Sequence, residues 1–176
     1  MIKNKPTRLP PFTIGGDAYQ KIDEICSPYG RSAVMIGGET ALAQAQAKIR
    51  HGCSLALTGA FVFGKEASYE NVEALLIQPA VREADMIFAV GGGKALDTAK
   101  CTADRLGKPV FTFPTIASTC AASTSVSIMY QPDGRFLGPQ FYEQAPVHVF
   151  IDTEILAAAP RKVSVGRTGR QLSQIS

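Results

Sequence analysis

No run of about 18 apolar residues, the length that a membrane-crossing helix needs, occurs in this chain of 176 residues. Met1 to Pro10 is polar and proline-containing, and lacks the apolar core of a signal peptide. A soluble, cytoplasmic protein without a membrane partner is the expectation. Histidine is scarce, with only His51 and His148, and the four cysteines, Cys26, Cys53, Cys101 and Cys120, form no CxxC pair. Free thiols fit that spacing, and a zinc knuckle does not. Acids are missing from the last sixteen residues, which hold Arg161, Lys162, Arg167 and Arg170. Residues 1–160 therefore carry 14 of the 18 basic side chains against all 15 acids, a net charge of −1. A nearly neutral body with a short basic tail lacks the clustered basic face that tracks phosphates, which argues against nucleic acid.

Two common nucleotide fingerprints are also missing. A P-loop needs a glycine four residues removed from its Gly-Lys pair and a hydroxyl residue after it, but Phe88 and Ala95 stand there. The dinucleotide fingerprint fails because Leu96 occupies the place of its last glycine.

What the chain does have is FAVGGGKALDTAK at residues 88–100, an apolar strand running through three glycines into a helix-forming segment. Gly91, Gly92 and Gly93 permit positive φ and the close approach of an anion. The first amides of the following helix point outward without partners, and the positive end of its dipole favours a phosphate. A tight βα connection with no ligand fits the same residues.

With 45% hydrophobic residues the chain can bury roughly 70% of its unfolded surface as one domain. Apolar runs alternate with helical stretches along it: a strand over 33–36, a helix from about Glu39 to Arg50, and a β-rich run from Leu55 to Phe63. Next come a helical stretch from Tyr69 to Ala84 that Pro79 should interrupt, a strand over 86–90, a helix over 94–106 and a strand over 109–113. Repeated β-α-β units predict an α/β fold, a Rossmann-like parallel sheet covered by helices on both faces. Ligands of such sheets collect at the carboxyl ends of the strands, where the triple glycine lies.

PTIASTCAASTSVSIMY, from Pro114 to Tyr130, places seven serines and threonines among small residues directly after a buried strand. Its hydroxyls and amides suit phosphate and ribose oxygens. It equally suits a serine-rich loop entering a hairpin, because Gln131-Pro132-Asp133-Gly134 is a good turn.

GGGKALDTAK at 91–100, PTIASTCAASTSVSIMY at 114–130 and VHVFIDTEILAAAPRK at 147–162 together resemble the glycerol dehydrogenase branch of the metal-dependent, iron- or zinc-containing alcohol dehydrogenases. The resemblance implies that residues 1–162 form the amino-terminal domain, which binds a nicotinamide dinucleotide, NAD or NADP. It places Gly91 and Gly92 in the phosphate turn and Gly93, Lys94, Ala95, Leu96 and Asp97 along the pyrophosphate. Thr115, Ser118, Thr124, Val126 and Tyr130 would border the nicotinamide half and the pocket for a small alcohol or hydroxyacid. Leu96 and Val126 also fit the core, Asp97 a helix-dipole partner and Tyr130 a strand cap.

Two positions depart from the family pattern. Cys120 replaces an aspartate that contacts the polyol, so a hydroxycarboxylate, for which loss of a negative charge is favourable, becomes a candidate substrate. A small buried hydrophobe is the other reading of Cys120. Gly38 replaces the acid that receives the adenosine ribose; Glu39 beside it takes that task, or the gap admits the 2′-phosphate of NADP.

In the family the metal polarises the substrate oxygen for hydride transfer, and its aspartate and two histidine ligands lie beyond the first domain. Neither His51, expected in a turn after a helix, nor His148, expected in a strand, matches a ligand position, so zinc or iron is not expected to bind here. After Lys162 the resemblance breaks. One permitted codon choice for residues 163–176, read one base later, spells YLSAGLGDSLAKS, which resembles the family's metal-binding segment. A frameshift near codon 163 is the expectation, making 163–176 an aberrant tail. Three functions follow: the cofactor-binding half of a dehydrogenase, inactive by itself; a non-catalytic nucleotide-binding module; or a pseudogene product. Missing the family's helical domain, the chain should self-associate through an exposed interdomain surface.

Overall fold

The computed structural model describes residues 9–117 and 120–159; Ser118 and the tail at 163–176 lie outside the described residues. Six strands form one sheet in the order β1-β8-β5-β4-β2-β3, and every neighbouring pair is parallel. They are β1 (Phe12–Gly15), β2 (Ser32–Gly37), β3 (Ala56–Val62), β4 (Met86–Gly91), β5 (Val110–Pro114) and β8 (His148–Asp152). Between β5 and β8 the chain makes a separate antiparallel hairpin of β6 (Val126–Tyr130) and β7 (Phe136–Phe141). The turn at 131–134 closes it, with Gly134 N–H donating to the Gln131 carbonyl at 2.9 Å.

The helices are α1 (Ile22–Cys26), α2 (Glu39–Gly52), α3 (Tyr69–Leu76), α4 (Pro79–Glu83), α5 (Gly93–Leu106) and α6 (Thr153–Ala158). Pro79 breaks 69–84 in two as expected and opens α4, where its missing N–H costs nothing. Ser68 accepts from Asn71 N–H to start α3, and Gly107, in the left-handed conformation, ends α5. Helix α2 runs two residues past Arg50, so His51 sits in its last turn rather than in a loop.

Central strands buried on both faces must be apolar throughout, and all six residues of β4 are buried. Odd and even side chains feed two cores. On one face Met35, Phe88, Phe111, Phe113 and Phe150 pack under Leu42 and Ile49 of α2. Phe113 lies 4.9 Å from both Phe88 and Phe150 between ring centres. On the other face Ile36, Ile87 and Ala89 meet Leu96, Ala99 and Ala103 of α5. Helices therefore cover both sides.

Candidate functional site

The chain leaves β2 through α2 to reach the edge strand β3, then crosses back to β4 on the opposite side of β2. Helices α2 and α5 consequently lie on opposite faces, and the carboxyl ends of β2 and β4 form the switch point at which sheets of this kind have their ligand crevice. Gly38 and Gly91 to Gly93 stand there. Gly91 has φ +136°, and a Cβ on it would lie 3.1 Å from the Ala95 Cβ and 3.4 Å from the Ala41 Cβ. A Cβ on Gly37 would collide with the Val90 carbonyl. The two strand ends thus approach as closely as glycine permits, and Gly38 N–H reaches the Val90 carbonyl at 3.4 Å.

No side chain caps either helix start: Gly38 precedes α2 and Gly92 precedes α5. The first bond of α5 is Leu96 N–H to the Gly92 carbonyl, so the earlier amides of this 14-residue helix have no partner within it. Ala95 is buried beneath them. Around Gly38 there is room: the nearest heavy atoms to an added Cβ are Phe63 Cε1 at 3.8 Å and Ala41 Cβ at 3.9 Å. Glu39 opens α2 beside it and is exposed.

Lys94 projects from the first turn of α5 with its Nζ 2.6 and 2.7 Å from the two Glu66 carboxylate oxygens, and 4.9 Å from the centre of the Tyr130 ring. Lys94 and Tyr130, which the resemblance assigned to different halves of the cofactor, therefore meet, and Glu66 joins them. Thr115 is buried and donates its N–H to the Gly91 carbonyl at 3.1 Å, joining the β5 end to the glycine turn.

Leu96 takes the core place that was its other reading, and the Asp97 side chain turns to the hairpin rather than to the helix start. Leu96 belongs to the core against β4. Asp97, only 6% exposed, turns to the hairpin: Oδ2 accepts from Ile128 N–H at 3.0 Å, and Oδ1 lies 3.0 Å from Lys100 Nζ. The Asp97 carbonyl also accepts from the Ser127 hydroxyl at 3.0 Å. Both residues are buried inside the protein, below the turn whose amides open to the crevice.

Lys100 is the polar residue that the sequence reading passed over. It is 2% exposed, and its Nζ donates to the carbonyls of Ala121 at 2.9 Å, Thr124 at 3.2 Å and Val126 at 2.6 Å. Burial pulls its pKa below the usual lysine range, and the Asp97 carboxylate opposes that shift. The signal was present in the DTAK spacing, which sets Asp97 and Lys100 three apart on one helix face. The Ser/Thr-rich stretch folds as a loop containing the short helical turn Cys120–Ala122, which then enters the hairpin. Cys120 is exposed there, so a buried hydrophobe does not describe it, and Thr124 and Val126 are half-buried. Burial pushes the Cys26, Cys53 and Cys101 thiols up, which disfavours their thiolate forms.

Among the described residues no three His, Cys, Asp or Glu side chains converge as a metal would require. His148 is buried against Phe150 with a ring nitrogen 2.8 Å from Thr13 Oγ1, a core position. A cavity of about 720 Å³ bordered by Tyr29, Lys108, Val110 and Tyr142 lies at the amino ends of β5 and β8, away from the crevice. Its position is wrong for the ligand of a parallel sheet.

Compared with known proteins, residues 13–160 match the family described as iron-containing alcohol dehydrogenase. A glycerol dehydrogenase of Thermotoga maritima is 43% identical over 114 residues, 64% of this chain and 30% of that protein. Hydroxycarboxylate dehydrogenase A of Escherichia coli is 34% identical over 142 residues, 81% of this chain and 39% of that protein. The crystal structure of glycerol dehydrogenase from Schizosaccharomyces pombe superposes with a TM-score of 0.78 at 32% identity, covering 90% of this chain and 41% of that one. The chain spans less than half the length of these curated relatives.

Proposed function

Because the chain belongs to the iron-containing alcohol dehydrogenase family, we propose that residues 1–162 form the nicotinamide-dinucleotide-binding part of an oxidoreductase acting on a small polyol or hydroxycarboxylate. One observation carries the reading: the uncapped start of α5 opens between the carboxyl ends of β2 and β4, behind Gly91, where an added Cβ would press on Ala95 and Ala41. Such a start satisfies a pyrophosphate by amide hydrogen bonds and dipole together.

In this reading the pyrophosphate lies over Gly92, Gly93 and Lys94. Lys94 is held ready by Glu66 and the Tyr130 ring, close enough to exchange part of its pairing for a phosphate oxygen. The adenosine ribose falls at Gly38 and Glu39, where open space suits either NAD or the 2′-phosphate of NADP. The nicotinamide half extends past Thr115 toward Cys120, Thr124 and Tyr130. The dinucleotide supplies hydride acceptance when bound, and these residues bind and orient it. Cys120 brings no negative charge to the rim, which suits a substrate carboxylate as well as a hydroxyl; the relatives include both a glycerol and a hydroxycarboxylate dehydrogenase. The described residues offer no donor set that fits zinc or iron, so no step is assigned to a metal here. What is proposed for residues 1–162 by themselves is nucleotide binding, with 163–176 a tail of separate character.

Titration of the 176-residue chain with NADH and NADPH, followed by nicotinamide fluorescence, tests the reading. Saturable binding of either cofactor, competed by ADP-ribose, supports it, and no saturable binding of either overturns it.

A further inference from the structure

In the stretch from Cys120 to the first residue of β6, Val126, the Cys120 and Ser125 carbonyls accept from the Ser123 and Tyr142 N–H groups at 3.0 and 2.9 Å, and others are met by side-chain donors, as buried carbonyls require. Thr112 Oγ1 supplies one, to the Ala122 carbonyl at 2.8 Å. Lys100 meets three more, those of Ala121, Thr124 and Val126, together with the Asp97 carboxylate around a single nitrogen. An ammonium has three protons, so four acceptors within 3.2 Å saturate it. Asp97 extends the same grip by one turn of helix, holding Ile128 N–H through its side chain and the Ser127 hydroxyl through its carbonyl.

Helix α5 therefore does two things from one rigid body. Its first turn faces the pyrophosphate side of the crevice, and its middle holds the loop that borders the other side. An apolar side chain of similar volume at position 100 would fill the same space and avoid the cost of burying an ammonium. What it would not do is fix three carbonyls at one point.

We propose that Lys100 is a positioning residue that sets the 120–126 loop against the amino end of α5, so that recognition of the nicotinamide half depends on a side chain that never touches it. This inference rests on the nucleotide reading given above. It separates the two halves of the ligand: the ADP-ribose half contacts the glycine turn and the α2 start, whereas the nicotinamide half needs the loop.

The test uses Lys100→Met and Lys100→Arg in the 176-residue chain, with NADH and ADP-ribose titrated against each and hydrogen exchange followed over 120–128. Released from the ammonium, the loop must be ordered by the ligand, so Lys100→Met should weaken NADH about tenfold while ADP-ribose stays within about threefold. Exchange over 120–128 should rise while the β4 and β5 amides stay protected. Lys100→Arg keeps the charge but spreads its donors over a planar fork, and should show the same split to a smaller degree, so it carries the test if the Met variant does not fold. Equal losses for both ligands, or no loss for NADH, overturn the inference and leave the nucleotide reading intact. A wild-type chain that binds neither ligand overturns both.

Discussion

Gly91→Ala tests the glycine turn most directly. At φ +136° an alanine is strained by about 1–3 kcal/mol whatever the space around it. The space is also short, because the new methyl would sit 3.1 Å from the Ala95 Cβ, itself fixed in the first turn of α5. For a chain of this size each kcal/mol lowers the melting temperature by about 2–4 °C, giving an expected drop of roughly 2–12 °C. Displacing Ala95 also turns the α5 amides, so NADH binding should weaken beyond what the stability loss explains. Gly92→Ala is the control. It has φ −91°, open to any residue, and its added Cβ would meet Ile116 Cδ1 at 2.7 Å, the tip of a partly exposed side chain that can rotate away. Calorimetry of both variants decides: a Gly91→Ala protein that melts no lower than Gly92→Ala refutes the argument that the strand ends meet as closely as glycine allows.

Gly38→Asp would place a carboxylate where an acid receives the ribose hydroxyls, and like-charge repulsion should weaken NADPH against NADH by about tenfold or more, read by parallel titrations. An unchanged ratio would move the ribose elsewhere. His148 has its pKa depressed below 6.5 by burial, so the unfolded chain binds more protons from that value down to the folded pKa. Stability should therefore fall as the pH drops below 6.5, and urea denaturation across pH should show a shallower fall in His148→Gln; an identical slope would assign the loss to other groups. Phe12 and Ile14 on the edge strand β1, with Phe136 and Phe141 on β7, leave apolar surface exposed, and light scattering should find oligomers that grow with concentration. A monodisperse monomer would contradict that.

Much of the fold was legible because each central element is locally self-consistent. The buried run 86–91, the helical spacing of 93–106 and the break at Pro79 each follow from their own residues. Strand β1 was missed for the opposite reason. Its four residues, FTIG, alternate exposed and half-buried and acquire strand character only by pairing with β8. At the site, the glycines announced their turn through backbone freedom. For Asp97 and Lys100 the DTAK spacing gave the pairing but not the burial: charged residues on a helix usually face water, and the hairpin folding over α5 encloses this pair. Glu66 was equally hidden, since its link to Lys94 joins residues 28 apart in the chain.

The pairing of β1 with β8 also sets an order in time. Thr13 and His148 meet although 135 positions apart in the chain, so the sheet's outer edge stays open until β8 leaves the ribosome. At about 5–20 residues per second, β1 waits roughly 7–27 s during synthesis with Phe12 and Ile14 uncovered. Chaperone capture in the cell, if it occurs, should therefore concentrate on nascent chains shorter than β8 and fall away once Asp152 has emerged.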